Sequence, residues 1–254
     1  MLKDLTDGAA LVIGGGSGMG RLAALGLAER KAPVAVADRN GASARAVAAE
    51  IGKAGGRAEA YELDIAKSAQ VNSVVAQVSR ALGPIAYLAN LAGVYDVRAV
   101  EAITDENWAE MLQIHAAGTF YAVRAVLPAM MERKMGAIVT TSSVQGVRGQ
   151  PNGAHYAAAK GAIMSFTKSV AREKAHLNIR ANVVAPGPLD TPFFRRDRPL
   201  ADIEATKTAL SKVIPRGHIG VAEDVAPTIV FLLGPEAAHI TGQVININGG
   251  EVMP

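Results

Sequence analysis

Cysteine is absent from this chain of 254 residues. That excludes disulfides, thiolate metal sites and a thiol nucleophile together, and it is compatible with a reducing compartment. Aromatic residues are scarce, at 4% with a single Trp. No basic block interleaves with them, so a net charge of +3 does not point to nucleic acid. Apolar runs long enough to cross a membrane are also lacking. The opening residues Met1 to Asp7 carry two acids and no apolar stretch, so they do not read as a signal peptide. A cytoplasmic location without membrane contact is the expectation. His176, His218 and His239 share no ligand spacing with one another or with carboxylates, and no metal site is expected.

What the chain does have is hydrophobic material, half of its residues, arranged in alternating short and long patterns. Strands are expected at Ala9–Ile13, Val34–Ala37, Ala58–Leu63, Ile85–Asn90, Ala137–Thr141, Ile179–Val184 and Val244–Ile247. Most are continuous apolar runs, the mark of strands covered on both faces of a parallel sheet. Helical patterns lie between them: Met19–Arg30, Ala42–Ala54, Ser68–Leu82, Asp105–Arg133, Ala154–His176 and Glu223–Leu233. The alternation implies βαβ crossovers and one α/β domain of the doubly wound, Rossmann type, spanning 1–254. Nothing resembling a linker divides it. A Pro-rich segment at about 187–215 breaks the pattern; it reads as an irregular substrate lid or as a solvated surface excursion.

The first strand runs into Gly14-Gly15-Gly16-Ser17-Gly18-Met19-Gly20 and then a helix. Glycines at 14, 18 and 20 let the backbone turn off the strand, approach a pyrophosphate and pack the helix on the sheet. The helix N-terminus offers N–H groups to phosphates. Gly14, Gly16, Ser17, Gly18, Met19 and Gly20 are therefore expected cofactor contacts. Asp38 ends the second strand, 24 residues after Gly14. Its carboxylate can accept both ribose hydroxyls and would repel a 2′-phosphate, which selects NAD. Arg39 beside it is either a partner for such a phosphate or a solvated residue near the adenine.

Tyr156 and Lys160 stand four apart in a helical stretch, so both project from one face. An ammonium beside a phenol stabilises the phenolate and lowers a pKa that is otherwise about 10. A tyrosine so placed is suited to general acid/base work near neutral pH. Ser143, at the end of a strand, offers a hydroxyl to hold a substrate oxygen.

Taken in order, the glycine turn, Asp38, Asn90-Leu91-Ala92-Gly93, Ser142-Ser143, Tyr156-Ala-Ala-Ala-Lys160 and Pro186-Gly187 resemble the short-chain dehydrogenase/reductase family. The likeness runs on through Gly217-His-Ile-Gly220 and Ile240-Thr-Gly-Gln-Val-Ile-Asn-Ile-Asn-Gly-Gly250. It implies a seven-stranded parallel sheet with helices on both faces, and a homotetramer. It also implies roles. Ser143 orients the carbonyl, Tyr156 moves the proton, and Lys160 lowers the tyrosine pKa and holds the nicotinamide ribose. Asp64 and Ile65 hold the adenine, Asn90 and Gly93 line the cofactor cleft, and Pro186, Gly187, Leu189 and Thr191 contact the nicotinamide half. Three positions depart from the pattern. Ile13 replaces a Thr, Leu91 replaces the second Asn of Asn-Asn-Ala-Gly, and His115 stands where a fourth catalytic residue, Asn, is expected. That Asn serves a proton path largely through its backbone carbonyl, which His also offers.

The expected reaction is hydride transfer between NAD and a secondary alcohol or ketone. Two alternatives are an NADPH-dependent carbonyl reductase of the 3-oxoacyl type and a dinucleotide-binding regulatory protein without catalysis. Against the first stand Asp38 and also Ser17, where NADPH users often carry a basic residue. Gln145, two residues past Ser143, either faces the substrate or is a polar loop residue. Arg195-Arg196-Asp197-Arg198 is a solvated charged face or a contact for an anionic substrate. Trp108 belongs to core or subunit interface. His155 points about 100° away from Tyr156 around a helix, so it takes no direct part.

Overall fold

A computed structural model describes residues 3–195 and 199–253, apart from the Leu200 side chain. Seven parallel strands form one sheet: β1 (Ala9–Ile13), β2 (Val34–Asp38), β3 (Ala58–Glu62), β4 (Ile85–Asn90), β5 (Gly136–Thr141), β6 (Ile179–Pro186) and β7 (Val244–Ile247). Their order is β3-β2-β1-β4-β5-β6-β7. Every residue of β1, β4 and β5 is buried, because helices cover both faces. Apolar clusters accordingly form on both sides. One contains Leu27, Val36, Val139 and Ile229; the other contains Leu11, Val78, Leu88 and Val126. The two edge strands are less covered: β3, with the sequence Ala-Glu-Ala-Tyr-Glu, and β7 have no fully covered residue.

The larger helices are α1 (Gly18–Glu29), α2 (Gly41–Lys53), α3 (Ser68–Leu82), α4 (Asp105–Leu112), α5 (Gly118–Arg133), α6 (Val144–Arg148) and α7 (Ala154–Lys174). After β6 come α8 (Pro192–Arg195), α9 (Leu200–Ser211) and α10 (Ala222–Leu233). Two expectations need correction. The single helix expected over 105–133 is interrupted by a π-turn at Gln113–Ala117, since apolar periodicity alone does not distinguish one extra residue in a turn from a continuous helix. The segment at 187–215 is largely helical rather than irregular, with α8 and α9 inside it. Pro192 and Pro199 stand at or just before the helix starts, where a missing N–H is harmless. Arg196, Asp197 and Arg198 of the charged run lie outside the described residues.

The strand order reverses between β1 and β4, the place where an open α/β sheet leaves a crevice beyond its strand ends. The carboxyl ends of β1, β2, β4, β5 and β6 all reach that crevice. No helix among the described residues is long and apolar enough to cross a membrane.

Candidate active site

The crevice is a cavity of about 440 Å³, large enough for a small ligand or part of a cofactor. Its dinucleotide end is built from backbone. Gly14 and Gly18 have φ of +79° and +51°, values that glycine adopts without strain. A Cβ on Gly20 would lie 2.0 Å from the Gly14 carbonyl oxygen, so only glycine lets α1 pack against the turn. Ile13, which replaces a Thr of the family pattern, is fully buried. The turn is steadied instead by Gly14 and Gly15 N–H groups donating to the Ala37 carbonyl at 2.8 and 3.0 Å. Ser17 caps α1 without a side-chain hydrogen bond, which leaves the first-turn N–H groups free for phosphate oxygens.

Asp38 ends β2 beside this turn. One carboxylate oxygen accepts the Gly16 N–H at 2.9 Å and the other accepts the Asn40 N–H at 2.9 Å. A Cβ on Gly16 would meet that carboxylate at 2.8 Å. Gly16 therefore serves as the spacer that lets Asp38 close on the loop, and it does not itself line the cavity. Asn90 is also set back from the wall. It is buried and donates to Thr119 Oγ1 at 2.9 Å, and that hydroxyl donates to the His115 carbonyl at 2.6 Å. The other expected cofactor residues all line the cavity: Gly14, Ser17, Gly18, Met19, Gly20, Asp38, Arg39, Asp64, Ile65, Gly93, Pro186, Gly187, Leu189 and Thr191. Glycines that a Cβ would block, a free helix start and a carboxylate at the second strand end fit a nicotinamide dinucleotide.

At the opposite end Ser143, Tyr156 and Lys160 meet. Ser143 N-caps α6 and accepts the Gln145 N–H at 3.2 Å. Tyr156 and Lys160 occupy one buried face of α7. α6 closes on that face because Gly146 has no side chain: a Cβ there would lie 2.8 Å from the Lys160 carbonyl carbon. Ser142 Oγ donates to the Lys160 carbonyl at 2.8 Å, and Lys160 Nζ donates to the Thr141 carbonyl at 2.8 Å. Lys160 Nζ stands 5.6 Å from the Tyr156 ring centre.

Burial dominates the electrostatics here. It lowers the Lys160 ammonium to about 7, since a charged amine loses its hydration. It also raises the Tyr156 phenol well above its ordinary value, with a hydrogen bond to Ser143 acting in the opposite direction. The lowering of the Tyr156 phenol expected from Lys160 is therefore not found: burial, with a further push from Tyr95, raises it instead. His115 is buried and its imidazole is held well below the usual value, chiefly by burial and then by the Lys160 charge. Its Nε2 lies 2.9 Å from the Val94 carbonyl oxygen and 3.3 Å from the Val94 N–H; the shorter contact, oxygen to nitrogen, calls for the proton on Nε2, and Nδ1 has no hydrogen-bond partner among the described residues. Its ring packs edge-on to Tyr156 at 5.4 Å, and Gly93 leaves room for it, since a Cβ there would lie 2.5 Å from Cε1.

Gln145 lines the cavity, with its amide 3.4 Å from the Tyr95 hydroxyl. His155 is fully buried and turned away, 3.3 Å from Asp96. Trp108 is 43% exposed, outside the core. Sequence reasoning missed Tyr95, Arg148, Gln150, Leu210 and Glu251 in the cavity wall. Tyr95 packs edge-on to Tyr156 at 5.0 Å, and its place just after the Asn-Leu-Ala-Gly segment was the one local signal. The other four arrive from α6, the loop after it, α9 and the final turn, so only folding brings them in.

A family profile described as enoyl-(acyl carrier protein) reductase matches residues 14–251. The chain belongs to the short-chain dehydrogenase/reductase family. Among its relatives is a 3-oxoacyl-[acyl-carrier-protein] reductase of Thermotoga maritima, 35% identical over 96% of this chain and 97% of the relative. The Escherichia coli protein of the same name is 34% identical over 96% and 97%. An "inactive 2-(S)-hydroxypropyl-CoM dehydrogenase 2" of Xanthobacter autotrophicus is 40% identical over 86% of this chain and 94% of the relative. Members of this oxidoreductase family act on small molecules with a nicotinamide dinucleotide, and the seven-stranded sheet agrees with that membership.

Proposed function

We propose that the protein is an NAD-dependent oxidoreductase acting on a secondary alcohol or ketone, with Tyr156 as general acid/base. The observation that carries this reading is one cavity whose wall holds Asp38 and the glycine turn at one end and Ser143, Tyr156 and Lys160 at the other. A bound NAD(H) supplies or accepts the hydride. The glycine turn and the start of α1 would hold its phosphates, Asp38 would accept its adenosine ribose hydroxyls, and Gly187, Leu189 and Thr191 would hold its nicotinamide half. In reduction, Ser143 Oγ donates to the substrate carbonyl oxygen and keeps it within reach of Tyr156. The Tyr156 hydroxyl then gives its proton to that oxygen, and Lys160, in its protonated form, offsets the charge left on the phenolate. In oxidation the same proton returns to Tyr156. His115 supports this exchange through its backbone carbonyl.

Measuring kcat/KM with NAD(H) and NADP(H) on one substrate tests the cofactor assignment. A clear preference for NAD is expected, because the Asp38 carboxylate repels a 2′-phosphate. A preference for NADP would make Arg39 the phosphate ligand and favour the second reading, an NADPH-dependent 3-oxoacyl reductase. The printed names of two relatives support that second reading. The name of the third keeps a non-catalytic dinucleotide-binding role in view, for which no alcohol or ketone would show turnover. Assembly as a homotetramer is part of the proposal. Trp108, Phe120 and Met131 leave apolar area exposed on α4 and α5, and sedimentation velocity reads the outcome directly.

A further inference from the structure

Tyr95 has no task in the reaction just described, yet it stands in the cavity wall against Tyr156. The loop after β4 carries it, and two contacts fasten that loop to the start of α7 and the turn before it. Asp96 lies 3.3 Å from His155 Nε2, and the Arg98 N–H donates to the Asn152 carbonyl at 2.8 Å. The Tyr95 ring meets Tyr156 edge-on with centres 5.0 Å apart, and it tilts against Phe193 of α8 at 6.4 Å. The ring is thus fixed between an anchored loop and two aromatic neighbours.

Its hydroxyl is the centre of a small polar cluster. Gln150 Nε2 donates to it at 2.8 Å and Gln145 Nε2 at 3.4 Å. A hydroxyl oxygen has two lone pairs and one O–H, so the two amides occupy both acceptor positions. Turning the Gln145 amide over would bury two unpaired donors in place of its one unpaired oxygen, a costlier arrangement. The Tyr95 O–H itself finds no acceptor among the described residues. Tyr95, Gln145 and Gln150 all line the cavity and are only half-buried. The proton is therefore left for a ligand, and only a ligand atom that accepts can take it. The ring contact with Tyr156 keeps this donor at the reacting end of the cavity.

We propose that Tyr95 is a specificity-determining residue, whose hydroxyl donates to a second oxygen acceptor lying close to the reacting carbonyl of the substrate. A ketone with an ether or carbonyl oxygen near the reacting carbon is then favoured over a plain alkyl ketone. Gln145 and Gln150 are positioning residues that turn the hydroxyl proton toward the cavity. This inference rests on the reading of the cavity given under Proposed function.

Ketone binding is measured by ligand-observed NMR titration of the parent protein saturated with NAD or NADP, whichever binds. Coenzyme and ketone are both oxidised, so no turnover intrudes. 1-Methoxypropan-2-one, 4-methoxybutan-2-one and butane-2,3-dione are compared with pentan-2-one, hexan-2-one and 3-methylbutan-2-one, in which carbon replaces the second oxygen. At least one acceptor-bearing ketone is expected to bind about three- to tenfold more tightly than its counterpart, as one hydrogen bond provides. Tyr95→Phe keeps the ring and should erase that preference, with the Kd values of the alkyl ketones and the coenzyme near those of the parent. Gln150→Glu keeps the hydroxyl but offers a carboxylate to its proton, so the preference should fall there too. No preference in the parent, or an undiminished preference in either variant, overturns the proposal. Equal weakening of every ketone in Tyr95→Phe also overturns it and leaves Tyr95 as wall alone. Should Tyr95→Phe fail to fold, Gln150→Glu decides by the same comparison. Ketones that bind the parent without preference sink this proposal and leave the oxidoreductase reading standing. A parent that binds no ketone in the panel sinks both.

Discussion

His115 shows how one residue's burial decides which of its atoms is useful. The imidazole is neutral, packed on Tyr156 and hydrogen-bonded at Nε2 to the Val94 backbone. Its carbonyl already accepts the Thr119 hydroxyl and keeps a second lone pair for a proton path. His115→Asn is therefore expected to keep kcat near the parent value. His115→Ala should be slowed by less than about tenfold, and it should lose roughly 1–3 kcal/mol of stability from the space left beside Gly93 and Tyr156. Because burial holds the imidazole well below its ordinary value, no His115 ionisation is expected in the kcat profile near pH 6 to 7. A loss beyond about a hundredfold in His115→Ala, together with disappearance of an ionisation, would make the side chain catalytic.

At the scale of elements, the covering of the cavity depends on Asp190. This residue follows β6 and binds Arg195 of α8 through both carboxylate oxygens, at 2.6 and 2.8 Å, and Lys207 of α9 at 3.0 Å. The Arg195 hydrogen bonds first, and Lys207 after them, hold the Asp190 carboxyl down to about 2. Arg195 is thus committed to Asp190 rather than left for an anionic substrate. Asp190→Asn should free the two helices, raising the substrate KM several-fold with a smaller change in kcat. Hydrogen exchange over 200–211 should quicken. The native contribution of this cluster is present above pH 4 and is lost as pH falls toward 2, because the folded carboxyl titrates below the unfolded one. Surface exposure of Arg195 keeps its magnitude modest. Unchanged exchange in the variant would show that packing, and not this ion cluster, seats the helices.

At the scale of the whole molecule, buried Lys160 is a burden on stability. Its folded pKa of about 7 lies below the unfolded value of about 10.4. Between those values the unfolded chain binds a proton that the folded chain does not, so this group makes stability rise with pH across that window, and stability is lowest below it. Lys160→Met should abolish turnover, raise the Tm by several degrees at pH 7 and flatten the rise between pH 7 and 9. Melting curves of the two proteins at both pH values check this; equal slopes would mean that Lys160 is not the group responsible.

Local signals in the residues specify the sheet and the glycine turn at the end of β1. Continuous apolar strands and the glycine spacing are local signals, and their physical meaning survives without knowing the neighbours. β1, β4 and β7 carry the boundaries read from the residues alone, and the Tyr156–Lys160 pair follows from helical geometry. Tertiary structure decided what depends on contacts distant in sequence. Gly16 and Asn90 stand behind the wall, where the Gly16 N–H donates to Asp38 and Asn90 Nδ2 donates to Thr119, 22 and 29 residues away. Arg148 and Glu251, 103 residues apart, form one corner of the cavity only after the chain turns back at Gly249 and Gly250. Burial, which sets the charge states of Tyr156, Lys160 and His115, is a property of the assembled core and has no local code in the residues that undergo it.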